Sequence, residues 1–475
     1  MNASRLFVTA SIALLVALRA VETFGRPLQV DEAYTLWYAH LPLHDMFVRL
    51  AMRDVHPPLL FLLLRPLDGL ALGDGVYRAI AFALSLASLW LLFAIVRMWF
   101  DARAGFIAAV CAGLIPNLIF YDSWIRMYAL FDFEALLSVW LLSVLLTRAD
   151  LSANLRCALW LGWTICVAAQ WYTDYLGFMS VAAQLVFVAF VRRDAFARAL
   201  AGTAVVAIAW LPQLPVFAQQ TRFGGTAFEV FRGREGLAVT LLPGNAIIGN
   251  MHPSAGELAQ DAILWFWLVA AFAVTLVAAG RSILPWLAAP SALLVVFSLA
   301  SHKLLYADRY HLLLAYGFAA WTGVALSYAW RRVPSVAVTA TAVAGAALIA
   351  LAAVHVLDPD FTTAPWPAVA AILRSQTHPG DLLALDQGNS LWVLQREHAI
   401  DDRAVLAVFG PPRANDVNGH LDAARRVFYV GFQTPPVDPE QIVYDHLSRT
   451  KRPVAVWQFT RTLPEEHVLV ELFAR

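Results

Sequence analysis

The chain alternates between long apolar runs and short polar turns for its first three quarters, then changes character. A helix needs about 20 apolar residues to cross a bilayer. On that ruler the sequence predicts eleven spans, near 6–24, 76–96, 104–120, 127–147, 157–172, 175–191, 199–217, 261–280, 283–300, 310–330 and 335–356. Arginines mark alternate turns: Arg5, Arg97 and Arg103, Arg148 and Arg156, Arg192, Arg193 and Arg198, Arg281, and Arg331-Arg332. All fall on one side, which the positive-inside rule makes cytoplasmic. An odd number of spans then places the C-terminus outside. On the opposite side lie two long loops, 25–75 and 218–260, and short ones at Tyr121–Arg126, Trp171–Asp174 and Ser301–Arg309. Within the first loop, Pro57 to Leu64 is too short to span and is expected to lie along the interface.

From about Asp358 the chain turns polar and is punctuated by Pro379-Gly380-Asp381, Gly410-Pro411-Pro412 and Pro435-Pro436. Residues 382–385, 427–430 and 454–457 read as short buried strands, and 367–375 as a helix. The fold class expected is mostly α: a polytopic membrane domain over 1–357, followed by a small extracytoplasmic α/β domain over 358–475.

Composition agrees. The 475 residues are 60% hydrophobic and 14% charged, against about 25% charged in soluble domains, and mean hydropathy is +0.63. A formal net charge of zero gives no sign of a nucleic-acid partner. Lys303 and Lys451 are the only lysines, an arginine bias typical of GC-rich bacterial genomes. Cys111, Cys157 and Cys166 sit in apolar runs without metal or disulfide spacing. The N-terminal run reads as an uncleaved first span.

Candidate chemistry gathers on the external side. Asp31-Glu32 follows the first span and opens a polar stretch with His40, His44, Asp45, Asp54 and His56-Pro57-Pro58. One carboxylate of the pair is a candidate general base or cation ligand; the alternative is an acidic pair that caps the next helix. His56 either bonds a phosphate, orients the carboxylates, or simply belongs to a rigid loop. Arg78, Arg126 and Arg309 open spans at their external ends, against the positive-inside trend. Guanidinium forks suit phosphate oxygens; the alternatives are snorkelling or pairing with Asp122 or Asp308. Asp122 either joins Asp31 around a divalent cation or pairs with Arg126. His302-Lys303 is suited to a lipid phosphate or to anionic headgroups.

Together, Val30-Asp31-Glu32-Ala33-Tyr34, Val55-His56-Pro57-Pro58-Leu59, Arg126-Met127-Tyr128-Ala129-Leu130 and Asp308-Arg309-Tyr310-His311-Leu312 resemble membrane glycosyltransferases of the GT-C type. The resemblance covers roughly residues 6–330. It is nearest to the bacterial branch related to dolichyl-phosphate-mannose–protein mannosyltransferases and the lipid A aminoarabinose transferase. It implies a sugar donor on a polyprenyl phosphate, used among membrane lipids at the external face of a bacterial inner membrane. It further implies inverting hexosyl or pentosyl transfer to a protein, lipid or glycan acceptor. Asp31 and Glu32 match the first-loop acidic positions. Arg126 and Arg309 fall in motifs near the donor phosphate, with Lys303 and Arg78 as further phosphate candidates and His56, Tyr128 and Tyr310 as supporting residues. A cation such as Mg or Mn would be held by Asp31 and Asp122. One departure bears on that site: relatives often carry a glutamate just before the Arg-x-Tyr, where Trp124 and Ile125 stand here. Three other functions compete: a transporter or flippase, a non-catalytic scaffold or sugar-binding protein on the same fold, and a ligase-type transferase with a diphosphate-linked donor. Charge confined to one face and the lack of an internal repeat weigh against transport.

Overall fold

The computed structural model describes residues 3–68, 70, 73–223, 239–249, 255–301, 308–358, 364–401, 403–408, 414–432, 441–460 and 467–475. These form two compact units. One comprises Met1–Phe24 with Leu41–Val356, the other Gly25–His40 with Leu357–Arg475.

The first unit is helical. Apart from 104–120 and 283–300, the predicted spans fall on helices, from Ala3–Gly25 to Pro334–Leu357. Among the described residues, seven helices are long and apolar enough to cross a membrane: Val8–Gly25, Asp74–Trp99, Met127–Thr147, Arg193–Gln220, Leu258–Ala279, Arg309–Arg332 and Pro334–Leu357. The protein is therefore a multi-pass membrane protein. The predicted 104–120 span is broken at Ile115 into Ala102–Leu114 and Pro116–Tyr121. Thirteen residues rise only about 20 Å, so the first piece does not cross alone. Pro116 makes the break, because it has no N–H for the carbonyl of Ala112. In the first loop, Leu43–Arg53 and Leu59–Asp68 are helices. The former exposes Leu43, Phe47, Val48 and Met52 along one side, the stripe expected of a helix lying in an interface.

Small residues let helices approach within this unit. A Cβ on Gly323 would strike the backbone of Ala104 and the side chain of Ala108, so the Leu312–Arg332 helix lies directly against Ala102–Leu114. Polar side chains add specific ties. Gln170 and Gln184 both donate to Ser138 Oγ, at 3.1 and 2.9 Å, and Trp163 donates to Gln184. At the end predicted to be cytoplasmic, Asp101 caps its helix through Ala104 N–H and holds Ser327 and Arg331.

The second unit is an α/β fold. Its sheet has the order β2-β1-β3-β5-β4, with β1 at Leu382–Leu385, β2 at Ala404–Ala407, β3 at Arg426–Phe432, β4 at Arg452–Phe459 and β5 at Val468–Ala474. β1 pairs in parallel with β2 and β3, and β5 runs antiparallel between β3 and β4. The predicted strands became β1, β3 and β4, and the predicted helix spans Trp366–Gln376. β2 and β5 were not predicted. β2 is a four-residue edge strand, and Glu471 interrupts the apolar run of β5. The Val30–His40 helix belongs to this unit. Its Trp37 stacks on Trp392 with centroids 4.0 Å apart, and Gln29 accepts from Ala364 N–H at 3.3 Å.

Candidate active site

In the second unit, the adjacent acids Asp31 and Glu32 have separate fates. The Val30–His40 helix begins with Gln29 at its N-cap, which places Asp31 in the first turn and Glu32 at its third position. Glu32 reaches back to accept the N–H of Gln29 at 3.0 Å, half of a capping box. Its two oxygens also receive both terminal nitrogens of Arg26, at 2.7 and 3.0 Å. Pair and cap are buried. Of the two roles implied for Glu32, this geometry supplies the structural one. Asp31 is half-buried, and its carboxylate has no hydrogen-bond or ion-pair partner among the described residues. A carboxylate placed by a rigid neighbour and left uncommitted is what a general base requires. Glu32→Ala is expected to lower stability by about 3–5 kcal/mol, since it strands a buried guanidinium. Glu32→Gln keeps the cap and is expected to lose less, as thermal unfolding in detergent will show.

In the first unit, the predicted external loops converge. Asp54 accepts the N–H groups of Val55 and His56 at 2.7 and 2.9 Å, and its Oδ1 lies 2.7 Å from His56 Nδ1. Arg126 Nη2 stands 3.3 Å from the same nitrogen. One nitrogen cannot both donate to Asp54 and accept from Arg126. The shorter, charge-assisted bond to the carboxylate prevails, so Nδ1 carries the proton and Arg126 acts on this pair through its charge. Burial works against the charge of Asp54, yet its bond to His56, the charges of His56 and Arg126 and the amide of Val55 hold its pKa below the usual value. Asp174, buried beside them, is pushed up by burial against the opposing His56, Leu176 amide, Arg126 and Arg309. Asp54, His56, Arg126, Asp174 and Arg309 thus form one electrostatic cluster drawn from four separate loops.

The other predicted site residues are placed as follows. Arg309 lies over the ring of Tyr310, 5.7 Å from its centroid, and both line a small cleft with Phe131 and Ser291. Tyr128 is buried edge-on against Tyr121 at 4.9 Å. Arg78 is buried and donates to the carbonyl of Thr23 at 3.2 Å, which ties the Asp74–Trp99 helix to the end of the first. Lys303 lies outside the described residues.

Asp122 requires a correction. It pairs with Arg19 at 2.9 Å rather than with Arg126, and it accepts from Tyr316 at 3.2 Å. Arg19 also donates to Ser85 and to the carbonyls of Ala112 and Gly113, at 3.2 and 3.3 Å. The Ala112 carbonyl is the one that Pro116 leaves without its helical N–H. The bonds from Arg19 and Tyr316 both fall on Asp122 Oδ2; its Oδ1, like both oxygens of Asp132, is buried without a hydrogen-bond partner among the described residues. Among the described residues no group of three or more His, Cys, Asp or Glu is arranged to hold a metal. Asp132, fully buried, faces Asp122, and Glu134 accepts from Thr173 at 3.1 Å. Sequence reasoning passed over Arg19, Asp132 and Glu134. The signal was present, because ionised residues inside an apolar span are costly and seldom idle.

No family model matches the sequence, and no curated protein sequence matches it. Solved structures do. The Archaeoglobus fulgidus oligosaccharyltransferase AglB, in complex with an inhibitory peptide and a dolichol-phosphate, superposes with a TM-score of 0.60 at 12% identity, over 90% of this chain and 70% of that one. ArnT from Cupriavidus metallidurans, bound to undecaprenyl phosphate, superposes with a TM-score of 0.56 at 14% identity, over 99% of this chain and 98% of that one. The Archaeoglobus enzyme in complex with Zn and sulfate gives 0.54 at 14% identity, over 89% and 67%. At these identities the likeness is one of fold. The chain shares the fold of these structures, as its motifs led one to expect.

Proposed function

We propose that the protein is a membrane glycosyltransferase that moves a hexosyl or pentosyl group from a polyprenyl phosphate to an acceptor hydroxyl, with inversion. The observation that carries this reading is the division of labour between the adjacent acids: Glu32 is locked in structure, and the Asp31 carboxylate has no partner among the described residues, on a fold shared with such enzymes. The acceptor oxygen attacks the anomeric carbon and the bond to the phosphate oxygen breaks. Asp31 takes the acceptor's proton, and the phosphate leaves with the bonding electrons. The transition state is oxocarbenium-like, and the charge that grows on the leaving phosphate suits guanidinium groups held away from water. Arg126 and Arg309 are assigned that role. Asp54 and His56 hold Arg126 in place, and Tyr128 and Tyr310 support the two arginines. No step is assigned to a divalent cation. The proposed topology puts the N-terminus in the cytoplasm of a bacterial cell and the C-terminal domain beyond the inner membrane.

Replacing Arg126 or Arg309 by alanine is expected to lower turnover by about 10²–10³-fold, with part of the rate returned by lysine. Single-turnover release of polyprenyl phosphate reads this directly. The class is tested by reconstituting the protein with a panel of short-chain polyprenyl-phosphate sugars and envelope extract. Donor consumption and a labelled product support the transferase. Lipid movement across the bilayer without consumption would favour a flippase, and consumption of diphosphate-linked donors alone would favour a ligase-type enzyme.

A further inference from the structure

The C-terminal unit contains a cavity of about 280 Å³ that the proposed reaction does not use. Its position follows from the strand order. β1 lies between β2 and β3, so the connection from β1 goes to one side of the sheet and β3 lies on the other. In open α/β sheets, ligands settle beyond the carboxyl ends of the strands at such a switch point. Asp386 directly follows β1 and lines the cavity, as do Tyr429 and Gly431 near the carboxyl end of β3 and Gln458 near that of β4, on the far side of β5.

The lining is shaped by particular residues. Tyr429 and Gly431 share a face of β3, and a Cβ at Gly431 would stand 3.0 Å from the Tyr429 ring. Glycine there lets the ring lie down beside the cavity. Tyr444, from the Ile442–Thr450 helix, packs against Tyr429 with centroids 5.2 Å apart. Gln441, also in the lining, takes a left-handed backbone with φ of 51°, a conformation that costs a non-glycine residue energy and recurs at ligand clamps.

The chemistry narrows the ligand. No arginine or lysine lines the cavity among the described residues; His467 is its one basic side chain there, and Asp386, only 3% exposed, adds a carboxylate to the wall. Glu471 lies behind Tyr444, whose hydroxyl is pushed up by burial and then by that glutamate. The Asp386 carboxylate works against a phosphate or another anion. Tyrosine faces suit a flat C–H surface. A carboxylate and side-chain amides suit neighbouring hydroxyls that both donate and accept. The volume lies just under the usual range for ligand pockets, which begins at about 300 Å³. It suits one or two rings and not an extended chain.

We propose that this cavity binds a neutral sugar ring. In an enzyme of the kind proposed above, that ring belongs to the acceptor. This second statement rests on the transferase reading; the binding itself does not.

The test uses the full-length protein in lipid nanodiscs with glucose, mannose, N-acetylglucosamine and their disaccharides, followed by saturation-transfer NMR. At least one neutral saccharide is expected to bind in the millimolar range or tighter. Asp386→Asn and the exposed Gln458→Ala are each expected to weaken it by about tenfold or more, with thermal unfolding of Gln458→Ala unchanged. If Asp386→Asn unfolds, Gln458→Ala decides alone. The proposal is overturned if no neutral saccharide binds at about 100 mM, if binding survives the folded variants unchanged, or if glucuronate or inorganic phosphate binds better. Saccharide binding without turnover would sink the transferase reading alone, and turnover without saccharide binding would sink the cavity alone.

Discussion

Asp31→Asn is expected to lower turnover by about 10²–10⁴-fold, the usual contribution of a positioned general base, while the protein stays folded and still binds its lipid. Asparagine has nearly the same shape, and the Asp31 side chain makes no contact among the described residues whose loss would unfold the helix. Its backbone carbonyl, which accepts from Thr35 at 2.9 Å, is untouched. The loss should therefore appear in the chemical step, read as polyprenyl phosphate released per enzyme, and not in thermal unfolding or lipid retention. A variant that releases the lipid at the wild-type rate would remove Asp31 from the mechanism. A variant that unfolds would give Asp31 a structural role like that of Glu32.

The second large effect concerns stability. Arg19 and Asp122 are 2% and 1% exposed, and Arg19 is bound to parts of two other helices through Ser85 and the Ala112 and Gly113 carbonyls. Removing either partner leaves a buried charge uncompensated, at a cost of about 3–5 kcal/mol. Arg19→Met and Asp122→Asn are each expected to lower the unfolding temperature in detergent sharply. The double variant should lose less than the sum of the two, since each substitution removes the charge that the other strands. Full additivity would mean that the pair is not coupled. Arg19→Met also removes a donor from the Ala112 carbonyl beside the Pro116 break, which keeps the N–H of Ile115 at 3.4 Å.

Much of this architecture could be read from hydrophobic patterning alone. Runs of about 20 apolar residues located the helices, and residues 127–147 were predicted to the residue. Patterning does not register a missing backbone donor, so the break at Pro116 became visible only when Arg19 was seen to fill it. In the tail, β1 was found because all four of its residues are buried, whereas β2 is a partly exposed edge and carries a weaker pattern. The arginines of the candidate site stood out because they oppose the positive-inside trend. Their partners were harder to find: Asp54 and Asp174 come from loops 120 positions apart, and only the folded chain brings both within reach of His56 and Arg126. The different roles of Asp31 and Glu32 could not be read from adjacency. They depend on Arg26 and on a glutamine N-cap, which is not among the residues preferred at that position.

The Val30–His40 helix clusters with the tail and not with the span that precedes it. The piece of this protein that can be exchanged with a relative is therefore discontinuous in the chain. A chimera joined at residue 357 alone would separate Trp37 from Trp392 and Gln29 from Ala364, and would leave Asp31 on a helix lacking its native support. A graft that carries residues 25–40 together with 357–475 keeps those contacts. Attempts to exchange the second unit between proteins of this fold should move both segments as one cassette.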